Sequence, residues 1–263
     1  MKLFPRLFVT FAVACAALVY ASQANAQIVS STIPFQNTFA TDGVNSNAGP
    51  NCDYGSAGAL MVAGSNSGNG IFESLMQFNL SSAFAQFNAA YGAGNWTITG
   101  VTLTLAGNAA VSGLSAGNPI FPTITNGSFG INWLADNNWQ TGPGTPSSPS
   151  TTGVTYNTLS SVESGSDQTL GSYTYTAPGN NVKLTWNLGT SSTGLLSEIT
   201  SGTDASLLLY PNDSTVAYLF NSLSFGTTGN RPTLNITAVP EPATCALVLT
   251  TLAGYGLLRR WRR

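Results

Sequence analysis

The residue types that most often carry out catalysis are scarce in this sequence. The chain contains no histidine, which excludes Ser-His-Asp triads and histidine-ligated zinc. A serine nucleophile would then need a lysine as its base. Lys183 is the only lysine of the body, and it lies inside a strand pattern with no serine motif beside it. We therefore expect no catalytic serine.

Paired carboxylates offer a second chemistry, the hydrolysis of glycosidic bonds. The residues that could supply such a pair are few and widely separated: Glu73, Asp136, Glu163, Asp167 and Glu198. No spacing singles out two of them, so we expect solvated loop acids and a protein that is not an enzyme. A polysaccharide-acting enzyme is the less favoured alternative.

A calcium site is a further candidate, because residues 38–55 combine Asp42, Asn45, Asn47 and Asp53 with glycines. Carboxylate, amide and carbonyl oxygens are the ligands that Ca²⁺ prefers. The spacing is not that of an EF-hand, and an Asx-rich turn explains the same residues. Asp42 and Asp53 are the candidate ligands of a structural calcium ion.

Tryptophan side chains could form a platform for sugar rings, because an aromatic face packs well against the C–H groups of a pyranose. Trp133 and Trp186 fall on the apolar side of their strands, where core packing is expected. Trp139 follows a polar stretch and is the candidate for an exposed sugar contact.

The elements that must position these residues are predicted to be strands. Apolar and polar residues alternate over residues 101–105, 129–133 and 182–188, and again at Leu234 and Ile236. Such a period of two indicates strands with one buried and one wet face.

Turn-forming residues separate these strands. Residues 211–213 lie between two apolar runs, 206–210 and 216–220, and predict a hairpin. Residues 141–153 contain no apolar anchor and predict an exposed, mobile loop. Many short strands between turns favour an all-β fold, an antiparallel β-sandwich of jelly-roll type.

One or two short helices complete the expected fold. Ser81 or Ser82 would cap a helix that ends at Gly92, and Thr193 would cap another that ends at Gly202.

The charge distribution argues against nucleic-acid binding. Lys183 and Arg231 are the only basic residues between positions 6 and 259, and nine acidic residues occur from Asp42 to Asp213. Such a surface cannot neutralise a run of phosphates. Cys52 is the only cysteine of the body, so no internal disulfide can form there.

The N-terminus is typical of a secretory signal peptide covering residues 1–26. A basic start is followed by an apolar stretch at 7–20 and a small-x-small site ending in Ala24 and Ala26. Signal peptidase would leave Gln27 as the mature N-terminus.

The C-terminal segment, residues 239–263, contains half of the chain's basic residues. Its apolar run, 243–258, has 16 residues and as a helix would span about 24 Å, less than the roughly 30 Å of a bilayer core. It can insert as a transmembrane helix with local thinning, with the arginines on the cytoplasmic side. The body would then lie outside the cytoplasm.

The order of features in this segment closely resembles the PEP-CTERM sorting signal. A Pro-Glu-Pro motif, an apolar helix and an arginine cluster follow one another, and the motif residues are Pro240, Glu241, Pro242, Arg259, Arg260, Arg262 and Arg263. The resemblance implies processing near the motif by a membrane-embedded exosortase, in Gram-negative bacteria that make extracellular polysaccharide. It makes the tail a transient anchor, so the mature product would be released or transferred to the cell surface.

The body, residues 27–238, resembles the DNRLRE-type β-sandwich, which is related to disaggregatase and to family-96 carbohydrate-binding modules. The matching pieces, in order, are NCDYG at 51–55, QFNLSS at 77–82, ITGVTLTL at 98–105, INWLADNNWQTG at 131–142 and RPTLNIT at 231–237. Asn79 stands where this family commonly has aspartate, which puts any metal role there in doubt.

Together these features predict a non-enzymatic, exported protein of the cell surface or extracellular matrix that associates with exopolysaccharide. Its expected partners are signal peptidase, exosortase, the membrane before processing and extracellular polysaccharide, with no nucleic acid. A carbohydrate-binding module with a defined sugar site is the first alternative.

Overall fold

The structure is a computed structural model that describes residues 27–43, 49–108, 124–176 and 179–241. Within these ranges the chain is mainly strand, with three short helices and one 3₁₀ turn. The strands are β1 (Ile28–Thr32), β2 (Pro34–Thr41), β3 (Ala59–Ala63), β4 (Phe72–Asn79), β5 (Trp96–Ala106), β6 (Gly127–Leu134), β7 (Gln168–Tyr175), β8 (Lys183–Asn187), β9 (Asp204–Pro211), β10 (Ala217–Asn221) and β11 (Thr233–Pro240). The helices are α1 (Ser81–Tyr91), α2 (Tyr156–Leu159) and α3 (Thr193–Ser201), and the 3₁₀ turn is Thr228–Asn230.

The strands form two sheets. The smaller sheet has the order β1-β11-β5-β8, and the larger has the order β10-β3-β4-β9-β6-β7, with β2 also paired to β4. Neighbouring strands of the larger sheet run antiparallel, as do β5 and β8 of the smaller. The expected all-β, antiparallel class is therefore confirmed, and the arrangement is consistent with a β-sandwich. The expected signal helix and C-terminal helix lie outside the described residues.

The chain divides into two compact units. The described part of the smaller unit comprises residues 27–29, Phe87–Thr99 and 237–241. The larger unit comprises the remaining described residues.

An aromatic cluster forms the core of the larger unit. Phe129 of β6 lies 5.2 Å from Trp186 of β8 and 5.1 Å from Tyr218 of β10 in edge-on geometry, and Phe220 contacts Trp186 at 5.4 Å. Because Trp186 belongs to the smaller sheet and the others to the larger, these contacts join the two sheets. The edge-on rings add to the stabilisation from burying their apolar area.

The alternating patterns are confirmed except at Val182, which lies before β8 and is exposed rather than buried. Val101, Leu103 and Leu105 of β5 are fully buried, and Trp133 and Trp186 are nearly so. A period-two sequence thus indicates correctly which face of each strand is packed.

The predicted hairpin is wrong, although the turn itself forms. The Asp213 carboxylate accepts backbone N–H bonds from Ser128 at 2.6 Å and Val216 at 2.7 Å, which tightens the turn. Both edges of β9 are already occupied by β4 and β6, so β10 pairs instead with β3, as in Leu219 opposite Met61.

Both predicted helices form. α1 ends at Gly92, whose φ of 88° is left-handed, and α3 ends at Gly202 with φ of 70°. The cap of α3 is Ser192 rather than Thr193, since the Ser192 side chain accepts the N–H of Leu195 at 3.2 Å. Helix α2 was not anticipated.

Truncating the central ring tests this core. We expect Phe129→Ala to lower the free energy of unfolding by about 3–5 kcal/mol, because it removes the ring that several neighbours contact. Val182→Ala is the matched control, since Val182 is 42% exposed, and should change it little. Urea unfolding followed by tryptophan fluorescence measures both. Equal losses would contradict the assignment of Phe129 as the centre of the core.

Candidate functional site

The sorting motif begins at the last residue of the last strand. Pro240 ends β11, and Glu241 follows it, exposed to solvent. Gln27, the expected mature N-terminus, is also exposed. The remaining residues of the two processing signals lie outside the described residues: Ala24, Ala26, Pro242, Arg259, Arg260, Arg262 and Arg263. In the part of the chain that the structure describes, no helix has the length and apolar character needed to cross a bilayer.

The end of β11 is held by the segment between α1 and β5. The Tyr91 hydroxyl donates to the Ala238 carbonyl at 3.2 Å, and the Glu241 N–H donates to the Asn95 carbonyl at 2.9 Å. The start of the sorting motif is therefore tied to the folded chain by two hydrogen bonds.

Asp53 organises a long loop. Its carboxylate is fully buried and accepts three backbone N–H bonds, each of 3.0 Å, from Gly144, Thr152 and Gly153. A buried carboxylate needs such donors, because without them its desolvation would be very costly.

The loop at 141–153 is therefore anchored, contrary to the expectation that it is mobile, although residues 143, 147–149 and 151–152 are exposed as expected. Its glycines allow the close approach: a Cβ on Gly142 would stand 2.1 Å from the Asp53 Cγ, and one on Gly144 would stand 1.9 Å from the Asp53 carbonyl oxygen. The anchor is a buried charge rather than an apolar side chain, so the apolar pattern could not reveal it.

The two calcium candidates have different surroundings. Asp53 directs both carboxylate oxygens at backbone N–H groups, an arrangement that serves the loop without a cation. Asp42 accepts the N–H of Ile71 at 3.1 Å. Within the described ranges, no three His, Cys, Asp or Glu side chains are grouped as a metal site would require. Asn45 and Asn47 lie outside those ranges.

Trp139 lies in a second hydrophobic core. It is only 4% exposed and packs with residues from four strands and from the segment 154–162: Ala40, Leu75, Leu134, Val154, Leu159, Val162 and Leu208. Its indole N–H donates to the Ser206 hydroxyl at 2.9 Å. The expectation of an exposed Trp139 is therefore wrong, because the ring offers no open face to a sugar.

Two glutamines hold the backbone around Trp139. The Gln36 amide donates to the Trp139 carbonyl at 2.9 Å, and the Gln77 amide donates to the Asn137 carbonyl at 2.8 Å. The two side chains also bond to each other across β2 and β4. This pairing fixes the segment to one face of the larger sheet.

Glu198 of α3 is a carboxyl group with unusual surroundings. Trp133 donates its indole N–H to one oxygen at 2.5 Å, and Asn137 donates its amide to the other at 2.6 Å. Burial raises the pKa of Glu198 to about 7, and the nearby Asp204 adds to the rise, although the two hydrogen bonds oppose it. Glu198 can therefore hold a proton near neutral pH.

Glu73 of β4 is the second such group. Burial raises its pKa to about 7, with a smaller contribution from the negative charge of Glu163. Burial also raises the pKa of Glu163, as does the charge of Asp167. Glycoside hydrolysis uses two neighbouring carboxyl groups, and the charge of Glu163 acts on Glu73, so these two acids are the candidates for it.

The expectation of solvated loop acids fails for Glu73 and Glu198, which lie on a strand and a helix. A sequence signal for Glu198 existed, because it follows the buried Leu195 by three residues on the packed face of the helix. Glu73 lies between the buried Phe72 and Ser74 of β4, so its side chain points to the opposite face of the sheet. The loop that covers this opposite face explains why Glu73 is partly buried.

Comparison with known proteins adds no relative: no family model matches the chain, and no curated protein matches it.

Replacing the Asp53 carboxylate tests its role in the loop. We expect Asp53→Asn to lower the free energy of unfolding by about 1–3 kcal/mol, because the amide turns a donor toward N–H groups that need acceptors. Protease cleavage within 141–153 should accelerate. Asp136→Asn is the matched control, since Asp136 serves a local turn to Asn138. A calcium-dependent rise in melting temperature that Asp53→Asn abolishes would contradict this role.

The stability of the protein should depend on pH near neutrality. A carboxyl group whose pKa is raised binds its proton more tightly in the folded chain, so its stabilisation is complete below its ordinary pKa of 4.5 and is lost as the pH rises through about 7. We expect the melting temperature to rise as the pH falls from 8 to 5.5.

Glu198→Gln and Glu73→Gln should each flatten this dependence, and the double variant should flatten it further. Glu198→Ala is the comparison, since it also removes the titration but loses both hydrogen bonds and should lower stability at every pH. A wild-type profile that is flat from pH 8 to 5.5 would refute the buried, protonated state of these groups.

Proposed function

We propose that this chain is a non-enzymatic exported protein, sorted by an exosortase to the cell surface or extracellular matrix, where it associates with exopolysaccharide. The observation that carries the proposal is the junction at Pro240, where the last strand ends and the Pro-Glu-Pro motif begins. A removable tail needs such a junction, because it can then be cut without removing a strand.

The composition of the body supports an association with polysaccharide. Only 7% of all residues are charged, and exposed hydroxyl side chains such as Thr169, Ser172 and Thr174 lie along the edge strand β7. Hydroxyl and amide groups can exchange hydrogen bonds with sugar hydroxyls over a broad surface without a single deep site. The alternative, a carbohydrate-binding module with a defined sugar site, would need a contact other than the buried Trp139.

The absence of catalysis belongs to the same proposal. Both oxygens of Glu198 accept hydrogen bonds from the protein, and those of Asp53 do the same. The carboxylates of Glu198 and Asp53 therefore stabilise the fold. Activity on polysaccharide would have to come from Glu73 and Glu163, and loss of any such activity in Glu73→Gln would support that alternative.

We also propose the jelly-roll connection of the strands and the kinship with the DNRLRE-type sandwich. Support comes from the quoted pieces: Tyr54 of NCDYG stacks on Phe39 with ring centroids 4.4 Å apart. The Asn79 side chain of QFNLSS donates to the Asp204 carboxylate at 2.8 Å and accepts the Ser81 N–H at 3.2 Å. An amide therefore stabilises the local structure at the position where the family has aspartate.

Intact mass of the exported product tests the sorting function. In a host with an exosortase we expect the product to lack the segment that follows the Pro-Glu-Pro motif, and in the same host without the enzyme to retain it. Glu241→Ala should retain the tail, because it changes the exposed centre of the motif. Glu163→Ala, which removes another exposed glutamate away from the motif, should be processed normally.

The released product should be recovered with the extracellular polysaccharide and freed when that polysaccharide is enzymatically degraded. A product that keeps residues 243–263 in the presence of the exosortase would overturn the sorting assignment. Normal processing of Glu241→Ala would show that the motif is not what the enzyme reads.

A further inference from the structure

Both ends of the described chain lie in the smaller unit, around one side chain. The Tyr91 hydroxyl donates to the carbonyl of Ala238, near the end of β11, and the backbone of Ile28, at the start of β1, hydrogen-bonds to the same phenol. The expected mature N-terminus and the start of the sorting motif therefore share one attachment point.

An exposed turn lies beside this point. Gly92 and Gly94 have φ of 88° and 72°, and the Asn95 N–H closes the turn on the Gly92 carbonyl at 3.2 Å. The Asn95 carbonyl then accepts the N–H of Glu241. The chain thus leaves the smaller unit at Glu241, directly next to residues 92–95.

The distance from this exit to the apolar run is short. Ala243, the first residue of the run, follows Glu241 by two residues, which reach at most about 7 Å when fully extended. The polar layer on each side of a bilayer is of similar thickness, roughly 5–8 Å. While the run occupies the hydrocarbon, Glu241 and the turn that holds it must lie at the depth of the lipid headgroups.

The surface of this unit suits that position. Among its described residues, Glu241 has the only charged side chain, and after removal of the signal peptide the α-amino group of Gln27 is the one other charge. Ala89, Ala90 and Ala93 are exposed, and Val29 is 53% exposed. Placing this surface among headgroups therefore desolvates little charge, and the amphipathic Tyr91 is a residue type enriched at membrane interfaces.

We propose that residues 92–95, together with Gln27 and Glu241, form a surface that rests on the lipid headgroups while the tail is still anchored. This inference rests on the proposed function, since it requires the tail to insert. It adds that the smaller unit is not held by a long, free tether: Tyr91 and Asn95 hold both processing ends against the membrane, where membrane-embedded enzymes can reach them.

A fluorophore on the turn tests this placement. The chain from Gln27 to Arg263 is prepared with Cys52→Ser and Cys245→Ser, and the exposed Ala93 is changed to cysteine and labelled. It is then reconstituted in vesicles of phosphatidylethanolamine and phosphatidylglycerol that contain a headgroup-spin-labelled lipid. We expect strong quenching of the label by that lipid.

The matched control keeps the anchor and removes only the short connection. Insertion of twenty Gly/Ser residues between Pro242 and Ala243 adds an average span of about 25 Å and should reduce the quenching several-fold, toward the level of a chain that ends at Pro242. Flotation of the vesicles reports membrane attachment independently of the label.

The outcomes separate the two ideas. If the native-length chain floats with the vesicles but is not quenched, or if the insertion leaves the quenching unchanged, the membrane-facing surface is wrong and the anchor stands. If the chain does not float, the tail is no anchor, and both the inference and the sorting function that it rests on are overturned.

Discussion

The larger unit depends on the need to satisfy one buried charge. Asp53 is fully shielded from solvent, and a carboxylate in that position is tolerable only if the chain supplies donors. Three backbone N–H groups from residues 144–153 do so, and glycines let the backbone approach closely enough. The result is a loop without apolar anchors that is nevertheless held in a single place.

That loop belongs to a segment that covers a second face of the larger sheet. With residues 135–162 laid across it, the sheet is packed on the face that carries Leu75 and Leu208, in addition to the aromatic core on its other face. Burial of the second face explains why Trp139 is inaccessible and why the pKa of Glu73 is high. Amide and indole groups satisfy several of the polar atoms that this covering traps, as Gln36, Gln77 and Trp139 do.

The smaller unit brings together the parts that concern processing. The Tyr91 phenol and the Asn95 carbonyl hold the start of β1 and the end of β11 through hydrogen bonds to backbone groups, which depend on geometry rather than on the identity of the tail. A folded body that ends where its sorting motif begins can be completed before the tail is cut. For the proposed surface role, the fold must chiefly be stable, carry little charge and have both chain ends fixed by hydrogen bonds.

The sequence alone determined the features that depend on local pattern. Alternation identified β5, β6, β8 and β11 and their buried faces, and glycines with left-handed φ marked the ends of α1 and α3, because side-chain direction and backbone freedom are local properties. Tertiary structure decided the rest. The partner of β10, the anchoring of residues 141–153, the burial of Trp139 and the partial burial of Glu73 and Glu198 all depend on segments distant in sequence. No local pattern records which strand edge is free or which carboxylate will be covered.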